Sequence, residues 1–164
     1  FILLFMSIQS MDNTLDIYQE TSDQAFRDLQ DEFERRNLYL TVVAYKPGLK
    51  SVQETTLARL LRSQKNESNL NENLLINLKI SDFLDQNLKR ILYNKNEKKR
   101  IIGFYDSIDR ALFAYYIHSK AYNEKLNQIH FKTYRLFRSF FSSWPYVPAQ
   151  VVDMQDNKGL IVER

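Results

Sequence analysis

The two histidines are the first residues whose chemistry would bear on function. His118 and His130 lie 12 residues apart in a segment with helical periodicity. On one continuous helix they would point about 120° apart and stand about 18 Å apart along the axis, so they could not share a metal ion there. Neither has a carboxylate three or four residues away. A hydrogen-bonded packing histidine is the favoured interpretation of each, and no metal site is predicted.

The carboxylates and glycines also lack a catalytic pattern. Asp106 and Asp109 lie on neighbouring turns, and Arg110 follows Asp106 by four residues, which predicts a solvated salt pair. The Glu-x-x-His metal pattern, the phosphate-binding loop, the dinucleotide-binding turn and the nucleophile elbow are all missing from the sequence. We predict no catalytic residue and no cofactor, and keep an enzyme of an unrecognised type as a second alternative.

The composition indicates a mainly helical fold. Three glycines and three prolines in 164 residues are too few for a many-stranded sandwich or a doubly wound sheet. We therefore expect a helical bundle with long amphipathic helices. Cysteine is absent, so no disulfide can form, and an intracellular protein, either cytoplasmic or membrane-associated, is expected.

Three segments are distinguished along the chain. Residues 1–9 form an apolar stub, which is too short to cross a bilayer because a spanning helix needs about 20 residues. The stub is interpreted either as the first helical turns, packed on the core, or as the end of a membrane anchor. Residues 10–148 are predicted to be a helical domain, and residues 149–164 an arm or a hairpin.

Apolar periodicity and cap residues predict the individual elements. From Met11 to Phe33 apolar residues recur every three or four positions, except at Ser22, which predicts one acidic amphipathic helix. Residues 38–45 are rich in β-branched and aromatic side chains and are predicted as a strand that pairs with residues 150–163, or alternatively as the end of that helix. A capping-box pattern starts a helix at Ser51, and further helices are expected over 70–80, capped by Asn69 or Asn71, and over 83–93.

The longest apolar stripe runs through residues 101–140 and is interrupted only at Ser119 and Thr133. One unbroken helix of 40 residues would be about 60 Å long, whereas a compact domain of this size has a radius of gyration of about 15 Å. Two interpretations remain open. The helix breaks around residues 119–123 and folds back as a hairpin, or the molecule is elongated.

Basic residues concentrate in the second half of the chain. Residues 1–82 carry a net charge of −3 and residues 83–164 a net charge of +6. These opposite charges are expected to attract each other within the fold, or else to form a basic surface for an anionic partner. Nucleic-acid binding by the basic aromatic segment 86–138 is therefore the first alternative function. The predicted anionic-partner patch comprises Lys95, Lys98, Lys99, Arg100, Lys132, Arg135 and Arg138.

A non-catalytic protein–protein interaction subunit or regulator is the function that the sequence favours most. The expected partner is another protein or a second copy of the chain, with the N-terminus as a route to membrane association. Large aromatic and apolar side chains contribute most to an interface when they lose their water, although each has a core-packing alternative. The predicted contact residues are Phe26, Leu29, Phe33, Tyr115, Tyr116, Tyr122, Tyr134, Phe137 and Trp144.

Overall fold

The computed structural model describes residues 2–44, 51–91, 95–139 and 143–152. Within these ranges the chain forms five α-helices and no strand. The helices are α1 (Ile2–Ala44), α2 (Ser51–Asn66), α3 (Leu70–Ile91), α4 (Lys95–Asn127) and α5 (Ile129–Ser139). The prediction of a mainly helical fold with long helices is confirmed.

The helices pack as two compact units. Unit 1 comprises residues 1–28 and 111–151, which include the first part of α1, the second part of α4, and α5. Unit 2 comprises residues 29–110 and 152–164, which include the rest of α1, α2, α3 and the first part of α4. The three segments distinguished in the sequence, 1–9, 10–148 and 149–164, stay a prediction.

Unit 2 has a core to which four helices contribute. Each of α1 to α4 provides two buried side chains, and burying each of them stabilises the fold by roughly 1.5–3 kcal/mol. The eight residues are Leu40, Val43, Leu57, Leu61, Ile80, Leu84, Ile101 and Tyr105.

Unit 1 has its own core, in which α1 meets α5 and the segment after it. Leu15, Phe131, Tyr134 and Tyr146 are buried together. Ile8, Met11, Leu126 and Trp144 pack against them and are partly buried. Residues 2–9 are the first turns of α1. Ile8 packs on the core, whereas the side chains of residues 1–7 lie outside the described residues, so both interpretations of the stub stay predictions.

Helices α1 and α4 run antiparallel within unit 1. The Phe26 ring lies 5.4 Å from the Tyr115 ring, and the Lys125 ammonium lies 5.4 Å from the Tyr18 ring. Residue numbers therefore rise along one helix as they fall along the other. Ser22 lies midway between Tyr18 and Phe26, and in this register it faces the level of Ser119. Both serines are buried.

Of the two interpretations of residues 38–45, the end of the preceding helix is confirmed for residues 38–44, which belong to α1, and the strand is wrong there. Leu40 and Val43 continue the helical spacing of Phe33 and point into the core of unit 2. Burial of that stripe outweighs the β propensity of the segment. Its predicted pairing partners are not strands where they are described, at residues 150–152; Tyr45 and residues 153–163 lie outside the described residues.

The helix starts were predicted better than the helix lengths. Helix α2 begins at Ser51, and Asn69 caps α3, since its Oδ1 accepts hydrogen bonds from the amides of Asn71 and Glu72 at 2.9 and 3.3 Å. The two short helices expected over 70–80 and 83–93 form one helix instead. The Ser81 hydroxyl donates to the Asn77 carbonyl four residues earlier, at 3.0 Å, so it joins the helix rather than capping a new one.

The long stripe breaks at Gln128, later than the 119–123 region considered for a hairpin. The Gln128 amide donates to the Lys125 carbonyl at 3.1 Å, and the Gln128 carbonyl accepts from the Lys132 amide at 3.0 Å, which ends α4 and starts α5. The break rotates the buried face, because Phe131 and Tyr134 are buried beyond it whereas Leu136, on the predicted stripe, is exposed.

The segment after α5 packs on α4 without regular structure over residues 143–152. The Asn123 side chain makes two hydrogen bonds to the backbone of Ala149, at 2.9 and 3.0 Å. The Tyr115 hydroxyl donates to the Gln150 carbonyl at 2.9 Å. The start of the predicted C-terminal arm is thus bound to unit 1, whereas residues 153–164 lie outside the described residues.

Candidate functional site

A fully buried arginine lies in the core of unit 2. Arg36 follows Phe33 by three residues and precedes Leu40 by four, so it occupies a position of the apolar stripe of α1. Its side chain has no exposed surface. The guanidinium also lies over the Phe33 ring, 5.8 Å from its centroid.

Three amide side chains bind the Arg36 guanidinium. Its Nη2 donates to Gln64 Oε1 at 2.6 Å and to Asn37 Oδ1 at 2.9 Å, and its Nε donates to Asn37 Oδ1 at 3.2 Å. Its Nη1 donates to Asn77 Oδ1. Helices α1, α2 and α3 thus converge on one cation.

The charge of Arg36 is not neutralised by a carboxylate. Over the ranges that the structure describes, no Asp or Glu oxygen lies within ion-pair distance of the guanidinium. Burial lowers the pKa of Arg36 to about 10, although the nearby Tyr105 opposes the shift. The side chain is still protonated at neutral pH, so unit 2 contains a buried positive charge held by neutral dipoles.

Two further polar atoms beside this network lack hydrogen bonds. Asn77 Nδ2 and Asn73 Oδ1 are buried and find no partner among the described residues. Gln64 Nε2 donates to the Asn73 carbonyl, but at 3.4 Å. Buried polar atoms are normally satisfied, so this corner of unit 2 has spare hydrogen-bonding capacity.

An open groove adjoins the network, between the second half of α1 and α2. It holds about 1110 Å³ and reaches the first turn of α3 at Asn73. Leu38, which is 63% exposed and lies at the rim, and the exposed Ala58 supply apolar surface, and the buried Phe33 and Leu61 line the groove beneath them. The amides that bind Arg36, Asn37 and Gln64, line the same groove.

The wall that α2 contributes is basic. Arg59, Arg62 and Lys65 line the groove, and none has an ion-pair partner in the described part of the chain. The acidic lining residues are Glu34, on α1, and Glu67, whose Oε1 accepts a hydrogen bond from a backbone amide at 2.7 Å. With Arg36 beside it, the groove combines apolar surface with an excess of positive charge.

None of the polar residues of this network was predicted as a site residue, although their spacing in the sequence carries a signal. Gln64 follows Leu57 and Leu61 at helical spacing, and Asn77 follows Leu70 and Leu74 in the same way. Each polar residue therefore occupies an apolar-stripe position of its helix, as Arg36 does. Three polar interruptions of three stripes predict a buried polar cluster if the stripes face one core.

Most of the predicted contact residues pack inside their units. Five are buried, namely Leu29, Phe33, Tyr115, Tyr122 and Tyr134. Phe26, Tyr116 and Trp144 are half-buried, and the side chain of Phe137 lies outside the described residues. Phe33 alone of the described eight lines the groove. A role of the others in partner binding stays a prediction.

The aromatic residues of unit 1 form a connected cluster. Trp144 makes edge contacts with Tyr134 and Tyr146, with ring centroids 5.9 and 5.1 Å apart. The hydroxyl of Tyr134 donates to Asp12 at 2.7 Å, and that of Tyr146 donates to Asp16 at 2.8 Å. These rings are occupied by packing, which weakens the argument that they stack on nucleic-acid bases.

The predicted basic patch falls into both units. Lys98, Lys99 and Arg100 belong to unit 2 and are exposed, and Arg100 lies over the Tyr39 ring at 5.0 Å. The other described members belong to unit 1: Lys132 and Arg135 are exposed, and Arg138 pairs with Asp12. The side chain of Lys95 lies outside the described residues.

The candidates for chemistry stay apart. No group of three or more acidic or histidine side chains that could hold a metal ion occurs in the described ranges. His118 is half-buried, and nothing is described of the His130 side chain. The salt pair predicted for Asp106 is wrong, because Arg110 Nε donates to the Asp106 backbone carbonyl, at 3.1 Å.

None of the described helices is both long and apolar enough to cross a membrane. No family model matches the chain, and neither a search of curated proteins nor a search of solved structures finds a similar protein.

Proposed function

We propose that this protein is a non-catalytic helical interaction subunit that binds a segment of another protein in the groove between α1 and α2. The observation that carries the proposal is the groove itself, which is open, holds about 1110 Å³ and is lined by the exposed apolar residues Leu38 and Ala58. Helical proteins commonly bind amphipathic helices in such grooves. The role would be intracellular, in the cytoplasm or at a membrane.

The size of the groove suits a short helix. Ten residues of α-helix extend about 15 Å, and with a diameter of about 10 Å they occupy roughly 1200 Å³. Apolar side chains of such a helix would cover Leu38 and the apolar surface beside it. Exposed large apolar residues at a concave surface are typical of protein interaction sites.

A photo-crosslinking experiment tests the proposal. A photoreactive benzophenone amino acid replaces Leu38 at the rim of the groove, and in a second protein it replaces Leu136, which has a similar exposure of 68% but belongs to unit 1. We expect a discrete adduct from position 38 and none of the same mass from position 136 when the full chain is irradiated in extracts of its own cells.

A groove-filling variant provides the specificity control. Ala58 lines the groove from α2 and is exposed, so Ala58→Trp should fill part of the groove while the helix content stays the same by circular dichroism. The adduct from position 38 should then disappear. An adduct that persists in this variant, or one that forms equally from position 136, would contradict binding in the groove.

A further inference from the structure

The groove has an unbalanced charge, which indicates the chemistry of its occupant. Arg59 and Arg62 lie on α2 one turn apart, and Lys65 follows at the same spacing. All three line the groove, and none is paired with a carboxylate among the residues that the structure describes. On an ordinary protein surface, such cations are solvated and contribute little. Along a groove wall they are placed to meet negative charges of a bound segment.

The buried arginine adds to this positive field. The neutral side chains of Asn37 and Gln64 accept hydrogen bonds from the Arg36 guanidinium and also line the groove. A charge that is not exposed to water is weakly screened, so its field extends further than that of a surface lysine.

We infer that the groove is selective for an acidic amphipathic helix of a protein partner, with carboxylates along the α2 wall and apolar side chains over Leu38. This inference rests on the proposed function, to which it adds the class of partner. An acidic helix supplies both kinds of surface, whereas a nucleic acid supplies phosphates without apolar side chains and a small organic acid does not fill the groove.

Binding of matched peptides to the full chain tests the charge selectivity. The probes are two fluorescein-labelled, 14-residue amphipathic peptides with the same leucine stripe, one with four glutamates on the flank and one with glutamines in their place. At low salt we expect the glutamate peptide to bind at least about tenfold more tightly, and this preference should shrink as salt is added. A single-stranded oligonucleotide of equal charge should bind more weakly than the glutamate peptide.

Matched variants assign the effect to the groove. The double variant Arg59→Gln, Arg62→Gln should lower the affinity for the glutamate peptide by about tenfold or more. Its affinity for the glutamine peptide should stay the same. The control Lys98→Gln, Lys99→Gln removes two exposed charges of unit 2 that do not line the groove, and should retain the preference.

The possible failures of this inference are distinct from failure of the proposed function. Equal binding of the two peptides, no binding of either, tighter binding of the oligonucleotide, or equal losses in both double variants would each overturn the charge selectivity. The crosslinking from position 38 is independent of these results. If that adduct forms and depends on Ala58 while the peptides fail to discriminate, the groove binds a partner but does not select an acidic one.

Discussion

At the scale of single residues, Arg36 is the most informative side chain of the protein. A buried cation is costly, and the hydrogen bonds that the guanidinium donates to Gln64, Asn77 and Asn37 offset part of that cost. Such a cluster favours the packing in which these faces of α1, α2 and α3 meet, because an arrangement that buried the guanidinium away from the three amides would leave it without partners. This role in specificity is compatible with a cost in stability.

Two variants separate the role of the network in specificity from its cost in stability. Arg36→Met should lower the free energy of unfolding by about 1–3 kcal/mol, because it leaves buried amide oxygens without their donor. The combined variant Arg36→Met, Gln64→Leu, Asn77→Leu should regain or exceed the original stability, since an apolar core replaces the whole network. Urea unfolding followed by circular dichroism measures both. A single variant as stable as the original protein would show that the network does not depend on Arg36.

At the scale of elements, helical periodicity identified most of the buried helix faces. It did not predict the groove between α1 and α2 or the assignment of residues 38–44. The Met11 to Phe33 stripe could be read from the sequence because spacing alone decides which face is apolar. Residues 38–44 could not be assigned, because β-branched residues in a short apolar run fit a strand as well as a helix end, and only the core of unit 2 decides between them. The groove depends on how α1 and α2 pack, so no local pattern predicts it.

The rotation of the buried face at Gln128 is another feature that spacing could not reveal. The stripe in the sequence continues to Leu136, yet the structure buries Phe131 and Tyr134 instead. A single bend residue changes the phase of every position after it. Sequence analysis detects such a break when Gly or Pro marks it, and Gln128 carries no such signal.

Gly103 provides a prediction for α4. It lies on an exposed helical position, and an added Cβ would meet no atom within 4 Å. Gly103→Ala should therefore raise the free energy of unfolding by roughly 0.5–1 kcal/mol, since alanine restricts the unfolded chain and favours the helix. Thermal unfolding by circular dichroism tests this. A lower midpoint would mean that the glycine serves a contact or a bend that the helix needs.

At the scale of the whole molecule, an ion pair joins the acidic first half of the sequence to the basic second half, while both interpretations of the charge distribution stay predictions. In unit 1 the acidic α1 contributes Asp12, which pairs with Arg138 of the basic α5. The Tyr134 hydroxyl donates to the same carboxylate at 2.7 Å, and the Tyr146 hydroxyl, which donates to Asp16, lies 3.2 Å from it. The acidic residues of α1 thus support packing as well as solvation.

This arrangement predicts an alkaline limit to the stability of unit 1. Burial, with a smaller effect of Asp23, raises the pKa of both Tyr115 and Tyr122 to about 12, and burial also raises the pKa of Tyr134 and Tyr146. Tyrosines of an unfolded chain ionise near pH 10. Above that pH the unfolded state releases protons that the native state retains, so stability present below about pH 10 falls as the pH approaches 12.

The single tryptophan makes this measurable. Trp144 belongs to unit 1, so its fluorescence during urea unfolding at pH 9 to 12 reports that unit. Arg36, in unit 2, contributes to the pH dependence of stability with the opposite sign. Its pKa is lowered in the native state, so the native protein loses this proton at a lower pH than the unfolded chain does. We expect the Tyr115→Phe variant to lose less stability than the original protein between about pH 10 and 12. Absorbance at 295 nm that shows all ten tyrosines ionising together near pH 10 would refute the prediction.

The facing serines of α1 and α4 restrict sliding of the two helices. Shifting α1 by one turn would bring Tyr18 or Phe26 to the level of Ser119. The large aromatic ring would then have to fit where the small side chain of Ser22 now packs. The other aromatic contacts would lose their partners in the same movement. Two small side chains thus fix the alignment of two long rods whose otherwise repetitive apolar seams would tolerate several alternatives.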